Sequence, residues 1–215
     1  MYQSNFTKYN WYNNFDNENI SNLKIDATTR WAAATIQLSI LKNHLYFSND
    51  NLIGLQEITP KQYTQTINYA SIKLNKEFTV GKFSLDNTLL FQEVSQPEKI
   101  LNVPTIVTRN SFYFTDFVFK RAMYLQTGIT LNYFTKYYGD NYNPVSGEFF
   151  IQKEEKIGGF SNLDFFVNAR IRQTRLFLIA EHFNSSFSGR NYLSAPNYPY
   201  RDFVIRFGIA WNFFQ

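Results

Sequence analysis

The residues best placed for bond-making chemistry are in "EHFNSS", where His182 stands beside Ser185 and Ser186. Outer-membrane phospholipases use serine, histidine and a polar orienter on a barrel wall, the imidazole taking the hydroxyl proton as the oxygen attacks. Here serine and histidine lie within four residues of one segment, and no nucleophile elbow accompanies them. His182 therefore reads as a hydrogen-bonded wall residue, and no catalysis is expected. Zero cysteines remove disulfides and thiolate chemistry, and the only two histidines, His44 and His182, leave little for zinc. "GDNYNP" holds one carboxylate, too few for a calcium loop. "KEEK", at 153–156, reads as a solvated charge cluster. "YYGDNYNPVSGEF" and "SSFSGRNYLSAPNYPYR" suit sugar stacking as well as ordinary long loops, and the loop reading is simpler. No metal or cofactor is expected.

The elements that carry these residues must be read from composition and period. The chain has 215 residues, enough for one domain spanning 1–215. It is 19% aromatic and only 18% charged, below the charge of an ordinary soluble domain. Its longest apolar stretches are "LFLIA" and "WAAA", far short of a membrane helix. The net charge of +4 is dispersed, so no nucleic-acid partner is expected. The opening "MYQSNFTKYNWYNNF" has no basic start, apolar core and cleavage site. If the protein is exported, Met1 is expected to be an internal or trimmed start.

Period-two patterning dominates. In residues 202–214 one face carries Phe203, Ile205, Phe207, Ile209, Trp211 and Phe213, and the other Val204, Arg206, Gly208, Ala210, Asn212 and Phe214. Six consecutive hydrophobic residues on one face would arise by chance in about 1% of windows of this composition. Leu163, Phe165, Val167, Ala169 and Ile171 alternate with Asp164, Phe166, Asn168, Arg170 and Arg172. Leu125, Thr127, Ile129, Leu131 and Tyr133 alternate with Gln126, Gly128, Thr130 and Asn132. Further strands are read near 176–182, 108–120, 83–95, 65–79, 32–47, 19–28 and 4–13, making about ten. Short turns (29–31, 80–82, 121–122, 173) alternate with long connections (48–64, 96–107, 138–160, 186–201). Short turns on one rim and long loops on the other characterise outer-membrane barrels. The strands also reach the 9 to 11 residues a tilted crossing needs, and aromatics gather near their ends. The expected fold is all-β: an antiparallel up-and-down transmembrane β-barrel, alone or as the C-terminal part of a larger one.

Five segments carry a resemblance: "ASIKLNKEFTVGKFSLDNTLLFQ" (70–92), "NVPTIVTRNSFYF" (102–114), "FVFKRAMYLQTGITLNYFTKYYGDNYNPVSGEFFIQ" (117–152), "IGGFSNLDFFVNARIRQTRLFLIAEHFN" (157–184) and "YPYRDFVIRFGIAWNFF" (198–214). Together they resemble the C-terminal portion of the putative porin family of Bacteroidota outer membranes. Its members are longer and begin with a signal peptide, so this chain would supply their final strands. The resemblance implies an outer-membrane barrel with a transport role and no transferable catalytic residues. Outer-membrane strands usually end on an aromatic residue read by the barrel-assembly machinery; here Gln215 follows Phe214.

In such a barrel Phe203, Ile205, Phe207, Ile209, Trp211 and Phe213 would face outer-membrane lipids. Gln126, Asn168, Arg170, Arg172, Arg206 and Asn212 would face a watery lumen, since an arginine at the bilayer midplane costs about 2–4 kcal/mol. The arginines would favour small anions or pair with Asp164, Glu181 or Asp202. The expected function is passive diffusion of small polar solutes. The rival is a side-chain-filled barrel that serves as a structural or interaction partner in an envelope complex. A soluble β-sandwich or calyx that binds a ligand is the third reading. It would hide the Phe203–Phe213 row beneath a second sheet.

Overall fold

A computed structural model describes residues 2–3, 11–49, 58–188 and 192–212. Nine strands form one antiparallel sheet: β1 (Asn19–Thr28), β2 (Ala33–Lys42), β3 (Ile67–Val80), β4 (Phe83–Ser95), β5 (Ile106–Val118), β6 (Met123–Phe134), β7 (Ser161–Ile171), β8 (Thr174–Glu181) and β9 (Val204–Trp211). Each strand pairs with its chain neighbour, so the sheet is a pure meander. Its connections alternate: residues 29–32, 81–82, 119–122 and 172–173 are tight turns, and 43–66, 96–105, 135–160 and 182–203 are long. The tight turns rely on backbone with positive φ at Gly81, at Phe119, Lys120 and Arg121, and at Arg172. No α-helix occurs among the described residues.

The structure corrects the expected strand plan in three places. The span 32–47 is two strands, because Asn43 takes a left-handed φ of 56° and turns the chain out of the sheet. His44–Asn49 then pairs with Ile58–Tyr63 as a separate hairpin, whose second strand lies in the connection 48–64 expected to be loop. Most of the expected first strand, 4–13, lies outside the described residues; Tyr12–Asn13 pairs with Tyr2–Gln3 rather than with β1. Among the described residues nine strands form the sheet, and it is not closed: no described strand pairs with the outer edge of β1 or of β9. Eight successive reversals leave these two edges running in the same direction, so they cannot complete an antiparallel ladder with each other.

The registers sort every strand into one apolar and one polar face. A single row crosses Leu85, Phe112, Ile129, Phe165, Ala180 and Ile205; the next crosses Phe83, Phe114, Thr127, Val167, Leu178 and Phe207. Beyond β4 the same face continues through Ile25, Ile36, Ile72 and Phe91. No second sheet of described residues covers it: Phe207 is 81% exposed and Ile209 68%. Burial instead favours the polar face, where Ser39, Ser71, Ser84, Gln92, Ser111, Thr130 and Asn162 are all buried. This inverts the usual arrangement of a soluble protein, in which the apolar side of a sheet is covered. Buried apolar residues sit instead in the long connections or where a strand leaves one, as Phe47, Ile58 and Phe150 and as Tyr63, Ile100 and the first residue of β3, Ile67.

Away from the strand ends, where Asp116 and Glu93 stand on it, the apolar face is notched by a hydrogen-bonded asparagine pair. Asn87 and Asn110 face each other on it, and Asn110 Nδ2 donates to Asn87 Oδ1 at 2.8 Å. Asn87 Nδ2 in turn donates to the Lys76 and Leu85 carbonyls, and Thr108 Oγ1 donates to Asn110 Oδ1 at 2.7 Å. Lys76 shares this row and sets its ammonium over the rings of Trp31 and Phe78. Apolar residues flank the notch on both sides, Leu74 and Leu89 on one and Phe78, Leu85 and Phe112 on the other.

Candidate functional site

The polar face is the candidate site because it gathers the hydrophilic side chains and half-encloses them. Gln126, Asn168, Arg170 and Arg206 stand on it by register, and Asn168 Nδ2 donates to Gln126 Oε1 at 3.2 Å. Arg172 occupies the tight turn after β7, and Asn212 lies one residue past β9, its N–H donating to the Gln173 carbonyl. Opposite Arg206, the residues Ile205, Phe207, Ile209 and Trp211 share the apolar face of β9. Phe203 precedes that strand, and Phe213 lies outside the described residues.

Hydrogen bonds between neighbouring strands hold this face in place. Ser111 and Thr130 share a hydroxyl contact of 2.9 Å, Asn75 donates to Thr88, and Tyr113 donates to Glu77 at 2.6 Å. Two glycines admit aromatic rings over the wall. At Gly128 a Cβ would lie 2.2 Å from the Phe112 carbonyl oxygen and 2.6 Å from Tyr113 Cβ. Tyr113 and Phe166 flank that position, their ring centroids 6.5 Å apart. At Gly208 the Phe177 ring lies where a Cβ would stand. The alternation of Gly128 with polar residues is plain in the sequence, but which rings cover it depends on register.

Charge on this face is mixed. Lys24, Lys73, Arg109, Arg170, Arg175 and Arg206 share it with Asp26, Glu77, Asp86, Asp164 and Glu181. Both signs occur at both ends of the face: Asp26, Glu77 and Asp86 lie near the tight turns, and Lys73 and Arg109 toward the long connections. At the tight-turn end Arg170 and Arg175 face each other directly, with Arg172 in the adjoining turn and Arg170 over the Tyr124 ring. At the long-loop end Glu181 meets Arg206 at 3.1 Å and Arg201 at 3.6 Å. Of the carboxylates expected to balance arginines, Glu181 does so. Asp164 instead accepts from Asn132 Nδ2 and from the His182 backbone N–H.

The serine–histidine arrangement is not assembled. His182 has a left-handed φ of 51° and precedes the single 3₁₀ turn Phe183–Ser186. Its Nδ1 lies 2.7 Å from the Arg201 carbonyl oxygen, and Ser185 donates its backbone N–H to the His182 carbonyl. Phe160, Tyr192 and Tyr200 pack around the imidazole. Asn162 and Tyr200 join this corner through an Asn162 Nδ2 to Tyr200 Oη bond of 2.9 Å. Reading the sequence missed both as a pair, because 38 residues separate them and only the polar phase of Asn162 was visible. Outside the sheet, burial pushes the Asp140 carboxyl up to about 6, with His44 pulling it partly back. Among the described residues no three His, Cys, Asp or Glu side chains are grouped to hold a metal ion.

A family model described as "putative porin" matches residues 1–215. No curated protein and no solved structure matches the chain.

Proposed function

Because the chain belongs to the putative porin family, we propose that its sheet is part of the wall of an outer-membrane pore that passes small polar solutes by passive diffusion. One observation carries this reading: the apolar face is bare, and every buried residue of the nine strands, from Ser39 on β2 to Asn162 on β7, stands on the polar face. Water would expose the hydrocarbon of Phe207, Ile209 and their row neighbours, whereas lipid accepts it. The outer-membrane lipids would then be the principal partner, and the barrel-assembly machinery would receive the exposed strands during insertion.

In a bilayer the edges of β1 and β9 must find partners, since each unpaired backbone group in hydrocarbon costs several kcal/mol. Their common direction means that closure needs an odd number of further strands between them. Solutes would travel along the polar face, between the long connections and the arginine pair at the tight turns. No covalent step is part of this function.

Protein refolded into planar lipid bilayers is expected to give discrete, ohmic conductance steps. Insertion without any conductance above leak would favour the second reading, a filled wall that serves an envelope complex, supported by the aromatic rings over Gly128 and Gly208. Protein that stays monodisperse without detergent would overturn both.

A further inference from the structure

At the long-loop end of the polar face, a cavity of about 150 Å³ opens between β6, β7, β8 and the residues that lead into β9. Two of its lining side chains are buried with an unanswered hydrogen-bonding atom. His182 is 2% exposed, and its Nδ1 faces a carbonyl oxygen, which can only accept. Nδ1 therefore carries a proton, and in the neutral ring Nε2 is left as a bare acceptor; it has no partner among the described residues. Asn162 is 8% exposed; its Nδ2 is spent on Tyr200 Oη, and its Oδ1 meets no donor.

The charged lining is three carboxylates, Asp164, Glu181 and Asp202, and one guanidinium, Arg201. Asp164 and Asp202 make no ion pair among the described residues, and Glu181 is balanced by Arg201 and Arg206. Two buried acceptors without donors, in a lining where carboxylates outnumber guanidinium groups, call for a guest rich in donors and positive charge. A metal ion fits poorly, since no cluster of three His, Asp or Glu ligands forms. At about 150 Å³ the cavity has room for a compact head group.

We propose that this cavity binds a primary ammonium group: its N–H bonds answer His182 Nε2 and Asn162 Oδ1, and its charge is balanced by Asp164 and Asp202. The site needs only these residues and does not depend on whether the wall conducts.

The chain's two histidines make the test direct. Full-length protein with ¹⁵N-labelled imidazoles, folded in detergent micelles, is titrated with 2-aminoethanol and, separately, with ethylene glycol and calcium. The expected result is a saturable shift of the His182 Nε2 resonance by 2-aminoethanol alone, with His44 unmoved. Asn162→Leu should weaken the amine by about tenfold, and Asn162→Asp, which adds charge at similar size, should strengthen it. An absent or unsaturable His182 shift, an equal response to ethylene glycol, a response to calcium in place of the amine, or unchanged affinity in both Asn162 variants would overturn the proposal.

Discussion

The Asn87–Asn110 contact measures the environment of the apolar face. Asn110→Leu removes the donor to Asn87 Oδ1 and the acceptor of Thr108 Oγ1, while Asn87 Nδ2 keeps its two carbonyl partners and Thr108 keeps the Thr88 carbonyl. In water the stranded oxygen would be rehydrated, and the change would cost a few tenths of a kcal/mol. In hydrocarbon no water replaces the lost partner, so the single variant is expected to lose about 1–3 kcal/mol. Asn87→Leu alone leaves Asn110 Nδ2 stranded and should cost a similar amount. With both positions leucine, nothing is stranded and each new side chain meets acyl chains, so the double variant should recover most of the loss. The coupling between the two sites is then expected to be about 1–2 kcal/mol, against roughly 0.3 kcal/mol for an exposed pair. Reversible urea unfolding in phospholipid vesicles, followed by tryptophan fluorescence, measures all four corners of the cycle. Additive single effects, or a double variant less stable than either single one, would refute the placement of this face in lipid.

Gly128→Ala should destabilise the sheet by about 1–3 kcal/mol in the same assay, because its Cβ would meet the Phe112 carbonyl and Tyr113 Cβ, which belong to the wall itself. Reversing the facing pair, Arg170→Glu with Arg175→Glu, should move the zero-current potential under a salt gradient toward cation selectivity; an unmoved potential would place the tight-turn end outside the conduction path. Asp140 binds its proton more tightly in the folded protein than at its ordinary value of 3.8. Its contribution to folding is therefore largest below that value and is lost as pH rises toward about 6. Amide exchange in residues 135–160 should accordingly be faster at pH 7 than at pH 4.5 after correction for intrinsic rates, and Asp140→Asn should flatten that difference.

Period-two alternation in single strands was enough to place Gln126, Asn168, Arg170 and Arg206 opposite the apolar rows, because a strand's two faces are set by residue parity alone. The alternation of tight and long connections was equally visible, since turn chemistry is local: Gly81 and Arg172 sit where the chain reverses. The strand break at Asn43 was not visible. A single left-handed residue outweighed the β-propensity of the residues around it, and the hairpin it starts is held by pairing with residues 58–63. The notch at Asn87 and Asn110 also escaped, because each asparagine alone reads as one polar residue in a strand, and only register sets them face to face.

The cavity at His182 shows the same division most sharply. The sequence alone carried a histidine near two serines and suggested hydrolysis only to discount it. Register and the path of the chain into β9 gave that histidine the Arg201 carbonyl as a partner instead, and brought Asn162 and Tyr200 to the same corner. The sequence by itself determined the all-β class, the meander, and which side chains share a face, because alternation and turn preference act over a few residues. Tertiary structure alone decided which face is enclosed, that the edges run in the same direction, and which acceptors are left without donors. These depend on how strands far apart in the chain are counted, registered and curved together.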